Sequence, residues 1–300
     1  MKTLAVIVTH NRCELLERCL DHLLSQTLPP TEIFVVNNAS TDGTTAMLDR
    51  KGVLYTTQPN LGSAGGWHCG IQHAIDGQFD AVWLMDDDGY PDVRALEILH
   101  QYLTGDVVCA SSVVVCEDNP DKFVFPIPLL DMSGTPVLFT FPRKISSMNQ
   151  LQRIIRGSTY PFAHFFNGAL ISVAAVRKAG NVNRDFFMSG DEVDYYFRLH
   201  TVGDIISVLD VLHFHPDVSK RLFTPQKVYY YVKNTIVLNE RHMNYAALRN
   251  ILAILVVLGR TVRRNGFIEA FAYITGKHRH VLLKAIKRGL QGQIAKDFDE

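Results

Sequence analysis

Ala81-Val82-Trp83-Leu84-Met85-Asp86-Asp87-Asp88 sets five apolar residues directly against three consecutive carboxylates. A short apolar run closed so abruptly reads as a buried strand, with the acids at its C-terminal end. Three adjacent carboxylates repel one another unless something compensates them. A hard divalent cation with oxygen ligands does so, and a diphosphate brings further oxygens to the same ion. The plainer alternative is a solvated acidic turn ahead of a helix, with Asp92 near its N-terminus.

Outward from this strand, residues 4–8, 33–36, 53–55 and 107–115 are further short apolar runs rich in β-branched residues. Helical stripes lie between them: Leu15, Leu16, Cys19, Leu20, Leu23 and Leu24, then Ala95, Leu96, Leu99 and Leu103. Strands alternating with such helices predict an α/β fold with a mainly parallel sheet flanked by helices. Ligands of such sheets sit at the carboxyl ends of the strands. Four polar stretches fall there: Thr9-His10-Asn11-Arg12, Asn37-Asn38-Ala39-Ser40, Gln58-Pro59-Asn60 and the aspartate run. Ser40, Thr41 and Asp42 suit a helix N-cap. In Asn60-Leu61-Gly62-Ser63-Ala64-Gly65-Gly66 the glycines let backbone N–H groups approach an anion at a helix start. The spacing is not GxGxxG and there is no P-loop, which argues against an ordinary dehydrogenase or NTPase.

Residues 117–165 carry six prolines and are expected to be irregular, with a short hairpin. Residues 169–173 read as a strand, 192–200 as a helix and 226–290 as helices. This gives a body at 1–225 and a helical region at 226–300. Two further clusters bear chemistry. Gly190-Asp191-Glu192-Val193-Asp194 opens a helix, where acids favour the N-terminus and Asp194 can pair with Arg198. His213-Phe214-His215-Pro216 places two histidines on one side of an extended segment, and either suits a cation held by the aspartates.

The chain of 300 residues has zero formal net charge, which speaks against a dedicated nucleic-acid binder. The charge is uneven: residues 1–219 hold 15 Lys/Arg against 25 Asp/Glu, and residues 220–296 hold 15 against two, Glu240 and Glu269. A basic, partly apolar C-terminal region fits an anionic membrane surface or packing against a second subunit. Cys13, Cys19, Cys69, Cys109 and Cys116 form no CxxC or ligand spacing and read as small apolar filler. No run reaches the roughly 18 apolar residues of a spanning helix. The N-terminus opens on a strand without a signal-peptide layout, so the expectation is a cytoplasmic protein, peripheral on the inner membrane.

The succession Thr9-His10-Asn11-Arg12, Asn37-Asn38-Ala39-Ser40-Thr41-Asp42-Gly43 and Asp86-Asp87-Asp88 resembles the family 2 glycosyltransferases, which have the GT-A fold, over roughly residues 1–235. Asn60 through Trp67, with Leu84-Met85-Asp86-Asp87-Asp88, looks most like galactofuranosyltransferases, with rhamnosyltransferases next. The resemblance implies a Rossmann-like GT-A domain with a C-terminal helical extension, and inverting transfer from a UDP-sugar to a glycan or polyprenyl-linked glycan. A setting in surface polysaccharide or O-antigen synthesis follows from it. Carried over by position, Thr9, Asn11, Arg12, Asn38, Asn60, Gly65, Trp67, Asp86 and Asp87 contact the donor. Asp86, Asp88 and His213, or His215 in its place, hold Mn²⁺ or Mg²⁺. Glu192 stands at the general-base position with Asp191 as the alternative. Asn37 replaces the family's usual Asp. Trp67 and Phe166-Asn167-Gly168-Ala169 are candidates for sugar contacts or for core packing. A nucleotidyltransferase is a rival, but it needs a basic loop after the first strand, where this chain has only Arg12.

Overall fold

The computed structural model describes residues 1–298. Its strands are β1 (Thr3–Thr9), β2 (Glu32–Asn37), β3 (Leu54–Thr57), β4 (Ala81–Asp86), β5 (Tyr90–Pro91), β6 (Val107–Cys116), β7 (Asn119–Pro128), β8 (Lys144–Ser147), β9 (Thr159–Tyr160), β10 (Asn167–Ser172) and β11 (Asp204–His215). Its α-helices are α1 (Cys13–Leu24), α2 (Thr44–Lys51), α3 (Gly62–Asp76), α4 (Ala95–Tyr102), α5 (Met148–Ile154), α6 (Val173–Ala179), α7 (Asp191–His200), α8 (Pro225–His242), α9 (Ala246–Asn265), α10 (Phe267–Ala272) and α11 (Arg279–Leu290). The chain divides into two units. One is Met1–Val182 with Tyr195–Asp217, the other Asn183–Asp194 with residues 218 onward. The division falls within α7.

In the first unit every residue of β1 is buried, as a central strand requires. It pairs in parallel with β2 and β4, and β3 continues the parallel set beyond β2. The order β3-β2-β1-β4 therefore delivers Asn37, Thr9 and Asp86 to one edge, with Thr9 opposite Asn37 and Val8 opposite Asp86. The sheet is parallel where the sequence places the donor and mixed beyond it: β10 runs antiparallel to β4 and β6, while β6 and β11 are parallel. Residues 117–165 are more regular than their prolines suggest. β7 pairs with both β6 and β8, and its ladder with β8 shifts register between Lys122 and Ile127, the interval that contains Pro126. An irregularity is where a strand tolerates a residue without an N–H.

Leu16, Cys19, Leu20 and Leu23 of α1 enter the core, whereas Leu24, expected in the same stripe, is 59% exposed. α3 lies very close to β1. A Cβ on Gly66 would strike Val8, and one on Gly70 would strike Val6. Small residues here fix the helix-to-sheet distance.

In the second unit α8 is the buried element. Val228, Tyr229, Tyr230, Val232 and Ile236 pack with Val257, Tyr273, Val281, Leu282 and Ala285. The fully buried Lys233 ammonium is met by the Ala295 carbonyl at 2.7 Å and Asp297 at 2.6 Å, and Arg288 holds the other Asp297 oxygen at 2.7 Å. The pairing offsets part of the desolvation cost of the buried charge, and burial still holds the Lys233 pKa below its ordinary value.

Candidate active site

The three aspartates at the end of β4 differ in surroundings. Asp86 is half-buried, its N–H bonded to the Phe166 carbonyl at 2.7 Å, whereas Asp87 and Asp88 are buried. Thr9, at the end of β1, donates its hydroxyl to Asp87 Oδ2 at 2.8 Å. Arg12, three residues on, places Nη1 2.8 Å from Asp87 Oδ1 and 2.9 Å from Asp88 Oδ2. The compensating charge that the sequence assigns to a cation is thus supplied in part by the protein. Burial nevertheless holds the Asp87 carboxyl above its ordinary pKa, against the opposing pull of Arg12.

β11 brings both histidines to this edge, in different roles. His215 Nε2 lies 3.0 Å from Asp88 Oδ1, while Nδ1 is 2.7 Å from the Pro216 carbonyl. A carbonyl only accepts, so Nδ1 carries the proton. This is the arrangement in which a histidine offers Nε2 to a metal. His213 is fully buried, neither ring nitrogen has a hydrogen-bond partner among the described residues, and burial pushes its pKa down to about 3. Its ring fills space left by two glycines. A Cβ on Gly89 would strike Nε2, and one on Gly168 would come within 3.0 Å of Nδ1.

Among the described residues no three His, Cys, Asp or Glu side chains converge on one metal position. Asp88 and His215 are a carboxylate–imidazole pair suited to a divalent cation, and adjacent ligands of a six-coordinate ion lie about 3 Å apart. They form an incomplete set that diphosphate oxygens fit chemically.

The remaining residues that the sequence assigns to the donor divide into loop latches and core. Asn11 Oδ1 accepts the Thr41 N–H at 2.7 Å, tying the loop after β1 to the loop after β2. Asn38 is engaged at both ends, donating to the Gly62 carbonyl at 3.1 Å and accepting from Gln58 at 2.8 Å. Asn60 accepts from the Gly62 N–H at 3.0 Å, at the start of α3. Gly65 lies inside α3, where a Cβ would strike Leu61, so it serves helix packing. Trp67 is fully buried and stacks on the buried Phe166 with ring centroids 4.5 Å apart. Both side chains are buried, as packing in the core requires.

Arg18 escaped the sequence reading. It donates to the Asp88 carbonyl at 3.1 Å, pairs with Glu117 at 2.9 Å and lies over the Tyr90 ring. No local pattern marks it, because its partners are remote in sequence.

The second unit carries the other acids. Asp191 is buried with Oδ2 lacking a hydrogen-bond partner among the described residues, and Glu192 beside it is half-buried. Burial first, and the neighbouring Glu192 next, push the Asp191 carboxyl up to about 7. Asp194 lies 3.4 Å from His242 of α8. An acid near neutrality beside a second acid is suited to proton transfer.

Comparison with known proteins identifies the family and the fold. The family model described as Glycosyl transferase family 2 matches residues 4–170. Galactofuranosyltransferase GlfT1 of Mycolicibacterium smegmatis is 33% identical over 205 residues, 66% of this chain and 65% of the relative. GlfT1 of Mycobacterium tuberculosis is 32% identical over 222 residues, 71% and 69% of the two chains. The chain thus spans just under two thirds of the first relative's length. In fold it is similar to the mannosyltransferase PcManGT from Pyrobaculum calidifontis, solved with GDP-Man and Mn²⁺ (TM-score 0.55, 17% identity, 96% of this chain and 80% of that one). It is also similar to S. aureus TarS 1–349 in complex with UDP (TM-score 0.57, 13% identity, 97% and 81%). With its GT-A architecture, and with the family match spanning β1 to β10, the chain belongs to glycosyl transferase family 2.

Proposed function

We propose that this glycosyltransferase moves galactofuranose from UDP-galactofuranose to a glycan or polyprenyl-linked glycan acceptor of a surface polysaccharide, with inversion at the anomeric carbon. The observation that carries the reading is the cluster at the strand ends in which exposed Arg12 joins buried Thr9, Asp87, Asp88 and His215. The names of the GlfT1 relatives support the donor sugar, and the UDP and Mn²⁺ complexes of fold neighbours support the nucleotide and the ion.

Asp88 and His215, with Asp86, would hold a divalent cation, which when bound neutralises charge on the departing diphosphate. Thr9 and Arg12 fix Asp87 and Asp88, and Asn11 latches the loops that border the nucleotide. Glu192, or Asp191 in its place, takes the proton from the acceptor hydroxyl as its oxygen attacks the anomeric carbon and the bond to UDP breaks. The basic second unit attaches the enzyme peripherally to an anionic membrane, where a polyprenyl-linked acceptor resides.

The test is release of the nucleoside diphosphate from a panel of UDP-galactofuranose, UDP-galactose, UDP-glucose and dTDP-rhamnose with Mn²⁺ and no acceptor. UDP-galactofuranose is expected to be hydrolysed at least about tenfold faster than the others. Preference for dTDP-rhamnose overturns the donor assignment, and undiminished turnover in excess EDTA overturns the cation.

A further inference from the structure

Asn234, near the middle of α8, is fully buried and gives its side-chain nitrogen to three backbone carbonyls: Phe186 at 3.1 Å, Met188 at 3.0 Å and Ser189 at 2.7 Å. Three acceptors around one atom fix which end of the amide is nitrogen. They belong to the turn that leads into α7, which is unusually contorted. Phe187, Ser189 and Gly190 have φ of 61°, 62° and 100°. A non-glycine residue in the left-handed region costs about 1–2 kcal/mol, and two of these three carry side chains. Such a turn persists only where its surroundings over-determine it.

We propose that Asn234 is a positioning residue for the Asp191–Glu192 pair, which rests on the reading of that pair as the source of the general base. The chain leaves the turn at Gly190, whose carbonyl accepts the Asp194 N–H at 2.9 Å. The residue held against α8 is therefore the one from which the first turn of α7 starts. Gly190 lies flush on α8, where a Cβ would come within 3.1 Å of Asn234 Cβ and of Leu238. Two turns farther along α8, His242 meets Asp194. α8 thus grips the acidic turn at two points, and Lys233, adjacent to Asn234, is locked to Asp297. Removing the Asn234 amide takes the shared side-chain donor from all three carbonyls, of which Phe186 keeps the Met188 N–H at 2.7 Å, and the turn relaxes toward ordinary backbone angles. That swings both carboxylates without touching either.

The experiment compares Asn234→Ala and the isosteric Asn234→Asp, which sets a carboxylate against the three carbonyls, with Asn234→Ser, which retains one donor. Each is read for UDP affinity and stoichiometry, thermal midpoint and hydrolysis of UDP-galactofuranose. Turnover is expected to fall about 10- to 100-fold in Asn234→Ala, the loss typical of a misplaced catalytic group, and less in Asn234→Ser. UDP should still bind one per chain with little change in affinity. In the background of whichever single variant, Glu192→Gln or Asp191→Asn, loses turnover, Asn234→Ala should add less than about a twofold further loss, because residues acting as one unit are not additive. An equal loss in both backgrounds shows a merely structural role and overturns the proposal, as does near-normal turnover of Asn234→Ala beside an inactive acid variant. If neither acid variant loses turnover, the base assignment falls and this proposal falls with it.

Discussion

Arg12 takes one oxygen of the Asp88 carboxylate, Oδ2, at 2.9 Å, while His215 faces the other at 3.0 Å. The arginine therefore occupies half of the charge-neutralising role expected of a cation. Arg12→Ala would remove the guanidinium that Asp87 and Asp88, both buried, share. Because the Arg12 side chain is itself 41% exposed, the loss is discounted to about 1–3 kcal/mol. The expected outcome is a lower thermal midpoint without metal and a larger stabilisation by Mn²⁺ than in the parent. Equal Mn²⁺-induced shifts in the two proteins would show that Arg12 and the ion do not share this task.

The two histidines separate in the same assay. His215→Ala removes a side chain with Nε2 on Asp88 and Nδ1 on a carbonyl, and is expected to weaken Mn²⁺ binding by about 10- to 100-fold. His213→Ala empties the space between Gly89 and Gly168 and is expected to cost roughly 2–4 kcal/mol of stability. Isothermal titration with Mn²⁺ and UDP, beside thermal melts, distinguishes them. If His213→Ala abolishes metal binding while remaining as stable as the parent, the assignment reverses.

The strand ends were legible from sequence because one periodicity decides them: an apolar run that stops at Thr9, Asn37 or Asp86 can only present its next residues at the sheet edge. Partnerships across the chain were not legible. Thr9 and Asp87 are 78 residues apart, and nothing local to either says that they bond. The glycines of α3 were read as a cradle for a ligand. Their spacing serves Val6 and Val8 of β1 equally well, and a sequence cannot tell a phosphate from a valine as the reason for a missing Cβ. Trp67 was open between sugar contact and core for a related reason, since an aromatic face suits either. Asn234 carried no motif at all, being one polar residue in a buried helix.

The Asp191 carboxyl ties stability to pH. Its pKa rises from an ordinary 3.8 to about 7 on folding, through burial first and Glu192 second. Between those values the folded chain holds a proton that the unfolded chain has released. Stability from this group is therefore full below about pH 4, declines as pH rises and levels off above about pH 7. The ceiling is on the order of 4 kcal/mol. Asp191→Asn, which cannot ionise, is expected to gain stability relative to the parent as pH goes from 5 to about 8. Urea unfolding at several pH values measures it, and parallel pH profiles for the two proteins would refute the assignment of a buried, protonated Asp191.

The second unit presents a surface that mixes exposed apolar and basic side chains. α9 buries Asn250, Ala253, Val257 and Thr261 and turns Leu248, Ile251, Leu255 and Val262 outward. The next segment exposes Phe267 at 70% and Ile268 at 86%, with Phe271 stacked beside Phe267. Exposed Arg263, Lys277 and Arg279 lie in the same stretch of chain. Exposed apolar side chains beside exposed basic ones are the composition expected of a surface that lies on an anionic membrane. A second copy is the less favoured occupant, because like charges on both faces would repel. Each Lys or Arg near anionic lipid contributes about 1 kcal/mol, and a buried Phe or Ile side chain about 2 kcal/mol. The full chain is expected to co-sediment with vesicles containing phosphatidylglycerol at low salt and to be released at high salt. Ile268→Asp, remote in sequence from every residue assigned to the donor, is expected to weaken that binding at least about tenfold, since it removes apolar area and adds a repelled charge. UDP affinity should not change. Failure of the parent chain to bind such vesicles, with a concentration-dependent dimer that Ile268→Asp disrupts, would assign the surface to a second copy instead.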